Sequence, residues 1–269
     1  MKFYILTKKK IAIFGFCVLC ASLAFIIALQ GLLAVVSTCA SVSKIPICSV
    51  EKEKQIVSIS FDVAWNNDDT EKLLSILKQK QIKTTFFLTG DWVNQYASSV
   101  KTIFKNGHEI ANHSDSHLHM TELSPEKITE QIQNCNNKIE KITGTYPTLF
   151  RAPYGEYNDV VIDSVQQAKM YCIQWNIDSY DWKDLSAEEM QKRIIDNIKP
   201  GSIILFHNGA KNTPIALPQI IEAIQKEGYQ IVPVSELIYH GSYTTDHEGK
   251  QSPIDSSSLN PSNERWDGK

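Results

Sequence analysis

A chain of 269 residues with 42% hydrophobic content is long enough for one large domain with a real core. Its 27 basic and 30 acidic residues leave a net charge of -3, which argues against a nucleic-acid binder. Six cysteines at irregular spacing, two of them inside an apolar run, do not read as a disulfide framework.

The chain opens on Lys2, Lys8, Lys9 and Lys10, followed by an uncharged and overwhelmingly apolar run of 26 residues from Ile11 to Val36. As a helix that run would be roughly 39 Å long, more than the ~30 Å hydrocarbon core of a bilayer. A signal peptide has a shorter apolar region and a small-x-small cleavage site, which Thr38-Cys39-Ala40 matches poorly. The expectation is a transmembrane anchor over residues 1–40, its lysine cluster cytoplasmic and the rest of the chain extracytoplasmic. Cleavage of that segment would give a secreted protein instead.

Residues 41–54 read as a linker, after which strand and helix patterns alternate over residues 55–238. Ile56 to Phe61 is strand-like, Thr70 to Lys80 helical, Lys83 to Leu88 strand-like, Val93 to Asn106 helical, and His108 to Ala111 a short strand. Ser124-Pro125 opens the clearest helix, with Ile128, Ile132, Cys135, Ile139 and Ile142 on one stripe and Gly144 just past its end. Thr148 to Phe150, Met170 to Trp175, Ser202 to Phe206 and Gln230 to Val234 are further strands, and a capping box at Ser186–Glu189 starts another helix. Six or seven such repeats imply a parallel sheet with right-handed crossovers, open or closed into a barrel. Residues 239–269 are rich in Ser, Asp, Asn and Gly and read as a polar, disordered tail.

In parallel β/α folds reactive groups gather where strands end. Here His113 and His117, spaced as HxxxH, follow the third strand. Neutral imidazole is the commonest ligand for zinc and similar ions, and two rings at this spacing can reach one cation. Asp62, Arg151, Asp178 with Asp181, and His207 follow other strands and converge on the same face.

Ser60-Phe61-Asp62, His113-Ser-Asp-Ser-His117, Arg151-Ala-Pro-Tyr154, Asp178-Ser-Tyr-Asp181-Trp182 and Leu205-Phe206-His207 together resemble the five ordered motifs of the polysaccharide deacetylases, the NodB-homology domain or carbohydrate esterase family 4. The resemblance implies a distorted (β/α)7 barrel over residues 55–238 that removes acetyl groups from N-acetylglucosamine units of a glycan such as peptidoglycan. It implies a divalent metal, zinc above all, on His113 and His117, polarising the acetyl carbonyl. By the same resemblance Asp62 is the general base, oriented and kept ionised by Arg151. His207 is the acid, supported by Asp178 or Asp181; Asp178, closer to the end of its strand, is the first choice. Tyr154 and Trp182 offer flat faces to the sugar, and a backbone N–H near Tyr154 faces the oxyanion.

One position departs from the pattern. The family usually carries a second Asp after the base, completing an Asp-His-His metal site, and this chain has Val63. Either two imidazoles and water suffice, or another carboxylate, Asp69 in particular, replaces the missing one, or Asp62 itself turns to the ion. Asp68 and Asp69 are equally well placed to cap the helix that follows them. A noncatalytic glycan-binding relative and a metal-free amidohydrolase are the alternative functions. His108 is expected at the sheet edge and His119 in a loop, and Trp65 as a rim aromatic or loop packing.

Overall fold

The computed structural model describes residues 44–254, together with Ser22 and Phe25. The apolar run Ile11 to Val36 lies, those two residues apart, outside the described residues. Among the described residues no helix is long and apolar enough to cross a membrane.

The domain is built on one parallel sheet: β2 (Ile56–Val63), β3 (Thr85–Leu88), β4 (Glu109–Asn112), β5 (Leu149–Phe150), β6 (Tyr171–Cys172), β7 (Ile177–Asp178), β8 (Ile203–His207) and β9 (Gln230–Ile231). The spatial order is β6-β5-β4-β3-β2-β8-β7, with β9 pairing the start of β2. Strands β6 and β7 form its two ends, so the expected barrel is an open, parallel-strand half-barrel. Helices cover its outer face: α1 (Thr70–Gln79), α2 (Gly90–Gln95), α3 (Ala97–Lys105), α4 (Pro125–Thr143), α5 (Asp159–Gln167), α6 (Ala187–Ile195) and α7 (Thr213–Lys226). The short α8 (Val234–Leu237) packs on the other face, with Phe87, Ala111 and Ile203.

Local chemistry sets the ends of these helices. Ser124 accepts a hydrogen bond from the Lys127 amide at the start of α4, and Gly144 ends it with φ 72°. Ser186 and Glu189 complete the expected capping box on α6. Asp69 stands at the N-cap of α1 but makes no side-chain capping bond.

The central strands alternate as a sheet with one helix-covered face requires. Ile59, Phe61 and Val63 pack outward against the helices, with Leu73, Leu77, Ile220 and Ile224 in the same cluster. Ser58, Ser60 and Asp62 alternate with them in the chain and face the other way. Phe61 stacks on Phe86 at 4.9 Å and meets Phe206 at 5.8 Å, and these three rings are register partners on β3, β2 and β8. A slip of one residue would turn Phe61 inward and carry Asp62 into the helix layer, so this aromatic layer fixes the position of the residue that follows it.

Both expected borders shift. Inside the expected linker, Ile47 and Val50 are buried, and β1 (Ser49–Val50) pairs in parallel with β11 (Lys250–Pro253). β10 (Tyr243–Thr245) joins β11 to complete a three-stranded sheet, so residues 241–254 of the expected tail are ordered. The side chain that does this is Gln251, fully buried, whose amide bonds both the N–H and the carbonyl of Tyr239. A polar composition concealed strands that close on backbone pairing. Residues 255–269 lie outside the described part.

Candidate active site

Parallel register brings the strand ends to one rim. Asp62 of β2 lies beside His207 of β8, and Asn112, the last residue of β4, is paired with Phe150 of β5. The residues that follow, His113 and Arg151, therefore enter the same space. A pocket of about 360 Å³ opens there, lined by Asp62, Trp65, His113, His117, Tyr154, Gly155, Trp175, Asp178, Trp182, Leu205 and His207.

Arg151 is fully buried beneath the pocket. It donates to Asp62 Oδ1 at 2.7 Å, to the Ser60 hydroxyl at 2.9 Å and to the Gln174 carbonyl at 3.1 Å, and its guanidinium lies 4.0 Å from the centre of the Phe87 ring. Burial alone would favour a neutral Asp62, but Arg151, with smaller help from His113 and His207, holds its carboxyl below the usual range. The second oxygen, Oδ2, faces His113 Nε2 at 3.6 Å.

His113 has a defined tautomer. Its Nδ1 lies 2.8 Å from the Arg151 carbonyl, which can only accept, so Nδ1 carries the proton. Burial, outweighing Asp62, pushes its pKa down and keeps the ring neutral. A lone pair on Nε2 and an ionised carboxylate oxygen thus face each other, an arrangement that a cation between them stabilises. His117 is pushed down to about 4, by burial first and by His113 second, and its ring sits 5.0 Å from that of His113. Two neutral imidazoles with a free nitrogen fit a divalent cation such as zinc.

The turn that carries them is shaped by polar residues the sequence reading left out. Asn112 accepts from the Ser114 amide and donates to Asn136 and the Ile132 carbonyl, while Gln131 accepts from the Asp115 and Ser116 amides. Gln131 falls on the buried side of α4, three residues after Ile128, and a polar residue at a core position was the signal available. Ser114 and His117 take φ values of 66° and 52°, so the pair sits on an irregular turn and not on a helix.

Three expectations need correction. Asp181, not Asp178, supports His207: its Oδ1 accepts from His207 Nδ1 at 2.8 Å, and its Oδ2 accepts from the His207 amide and the Thr213 hydroxyl, both at 2.7 Å. Burial opposes charge on His207, but this bond and the Asp181 charge overcome it and raise the pKa. Asp178 instead accepts from the Tyr180 amide at 2.8 Å and from Trp182 Nε1 at 3.4 Å, a turn-forming role at the pocket wall. Its nearness to the strand end misled, because the chain turns back before Asp181 comes beneath His207.

Asp69 is absent from the pocket lining and accepts from the Gly209 amide at 2.8 Å, tying the loop after β2 to the loop after β8. Among the described residues no group of three His, Cys, Asp or Glu side chains is arranged to hold a metal. His108 is buried, not at an exposed edge, with Thr84 donating to its Nδ1 and its ring edge-on to Phe86. Val63 points into the helix-covered core and offers nothing to the pocket.

Residues 49–173 match the family model described as polysaccharide deacetylase. A peptidoglycan-N-acetylglucosamine deacetylase of Bacillus cereus is 34% identical over 70% of this chain and 91% of its own. The chain belongs to the polysaccharide deacetylase family. An uncharacterized Bacillus subtilis protein, YlxY, is 36% identical over 72% of this chain, which spans only 60% of that relative's length. Among solved structures, a family 4 carbohydrate esterase pseudoenzyme from Bacillus anthracis superposes with a TM-score of 0.70 at 31% identity, over 77% of this chain and 70% of its own. A mutant of it is described as having restored enzymatic activity. The family's enzymes are hydrolases acting on carbon–nitrogen bonds.

Proposed function

We propose that this chain is a metal-dependent N-deacetylase acting on N-acetylglucosamine units of an extracytoplasmic glycan, peptidoglycan first among them. The observation that carries the reading is one pocket holding a carboxylate whose charged form Arg151 favours beside an imidazole whose protonated form Asp181 favours. A binding protein has no use for that division of charge, and acid–base catalysis requires it.

His113 and His117 would hold the metal, which when bound supplies Lewis acidity toward the acetyl carbonyl. Asp62 takes a proton from the attacking water on Oδ2, the oxygen Arg151 leaves open. His207, charged and held through Nδ1, gives its Nε2 proton to the amide nitrogen as the C–N bond breaks, releasing acetate and a free amine. Trp182 and Tyr154, 57% and 56% exposed, present apolar faces at the rim for the sugar ring. The run Ile11 to Val36 would anchor the domain on the outer side of the membrane.

One observation favours a second reading, a noncatalytic glycan-binding relative. Val63 is locked in the core, and the Asp62 oxygen facing His113 could complete a metal site and cease to act as a base. The readings separate on acetate release from N-acetylglucosamine oligomers and peptidoglycan, with and without chelator. Chelator-sensitive release supports the deacetylase; glycan binding without release supports the second; chelator-resistant release points to a metal-free amidohydrolase.

A further inference from the structure

We propose that His119 is a positioning residue for Tyr154, clasping the turn after β5 to the loop after β4 so that the Tyr154 ring stays fixed at the pocket wall; its functional consequence rests on the glycan reading given above. Tyr154 occupies a backbone state that disfavours a large side chain. Its φ is 60°, and Gly155 follows with φ 72°. A non-glycine residue in this left-handed region persists where its surroundings over-determine it. A side chain is excluded at position 155, because a Cβ there would lie 2.9 Å from the Trp175 ring.

What holds Tyr154 is a chain of rings. Its centroid lies 4.6 Å from that of His117, near perpendicular, and 4.2 Å from that of His119, at an interplanar angle of only 13°. Trp65 closes the other end, 5.4 Å from His117. His119 is itself pinned, since its Nδ1 bonds Glu156 Oε2 at 2.9 Å, and Glu156 stands two residues beyond Tyr154. His119 therefore grips the turn twice, by a stacked ring on Tyr154 and by a charged acceptor on Glu156. Tyr154 remains 56% exposed, so without the stack its ring is free to swing off the wall.

The test uses the full chain and the variants His119→Ala and His119→Phe, the second keeping a flat ring while losing the bond to Glu156. Nitration of Tyr154 by tetranitromethane, read by peptide mass mapping, reports the ring's freedom without any glycan. In His119→Ala it is expected to rise about two- to tenfold, the range a single aromatic stack supports, and in His119→Phe, which keeps the stack and loses the bond to Glu156, to fall between wild type and His119→Ala. Affinity for a chitin-type N-acetylglucosamine oligomer is expected to weaken by a similar factor in His119→Ala and to recover in part in His119→Phe. The proposal is overturned if His119→Ala nitrates at the wild-type rate, if His119→Phe behaves like His119→Ala, or if wild type and His119→Ala bind the oligomer equally. Should the wild type bind no oligomer, the glycan reading fails, and with it the functional part of the clasp, while nitration still decides whether His119 fixes the ring. Unchanged thermal midpoints and far-ultraviolet spectra identify variants that fold.

Discussion

Asp62 and His207 are register partners on adjacent parallel strands, and each leans on a different buried partner, Arg151 for the carboxylate and Asp181 for the imidazole. The two groups are thereby pushed apart in acidity, one below the usual carboxylate range and one above the usual imidazole range. Neither depends on a loop for its placement, because the sheet ladder itself sets them side by side.

The pH dependence of deacetylation follows. Activity is expected to hold until pH rises through the raised pKa of His207, above 6.5, where the acid loses its proton. Asp181→Asn removes the charge that supports the imidazolium and should move this alkaline limb to lower pH. Asp178→Asn removes a smaller contribution to the same rise and should move the limb less than Asp181→Asn does. The profile of kcat/KM against pH in the two variants checks the assignment.

Arg151 carries stability as well as chemistry. Arg151→Met leaves a buried carboxylate without its counterion, and the expected loss is about 3–5 kcal/mol in urea unfolding at neutral pH. Since the folded pKa of Asp62 is depressed, its ion-paired stabilisation is present above the unfolded value and lost as pH falls through the folded one. The gap between wild type and variant should therefore shrink in acid.

Val63→Asp probes the departure from the family pattern. In the chelated protein the new carboxylate enters an apolar layer with Phe61 and Leu73, and a loss on the order of 3 kcal/mol is expected. The affinity for zinc should rise, because turning toward His113 and His117 relieves that burial. Thermal midpoints with zinc and with chelator measure both effects. An unchanged zinc affinity would show that the side chain stays among the helices.

His108 should make the fold acid-sensitive. Burial, with Lys83 assisting, lowers its pKa to about 4, so between about 6.5 and about 4 the unfolded chain binds a proton that the folded one does not. Stability is expected to fall as pH drops through that window. His108→Phe should shallow the slope without abolishing it, since His117 titrates in the same window. Urea midpoints at several pH values give the slope.

The sequence made the strand-end residues legible because each follows an apolar run whose length and bounding turns mark a buried strand. Asp62 after Phe61 and His207 after Phe206 are the clearest, while their register, side by side, came only with the sheet ladder. Less legible was whatever depended on the path of a loop. Asp178 and Asp181 are three residues apart, and only the fold of the turn decides which of them reaches His207. Asp69 looked like a ligand or a cap by spacing, and a backbone amide on a distant loop, Gly209, claims it. The sheet of β1, β10 and β11 was hidden because its strands are short and polar and are held by backbone pairing with no hydrophobic period to announce them.

The central claim is tested most directly by counting acetate released per molecule of enzyme from N-acetylglucosamine oligomers, comparing zinc-loaded wild type with Asp62→Asn and His207→Ala. Many acetates per wild-type molecule, with both variants reduced at least about a hundredfold, is the expected result. Wild type releasing no more acetate than Asp62→Asn, while still binding the oligomer, would contradict it.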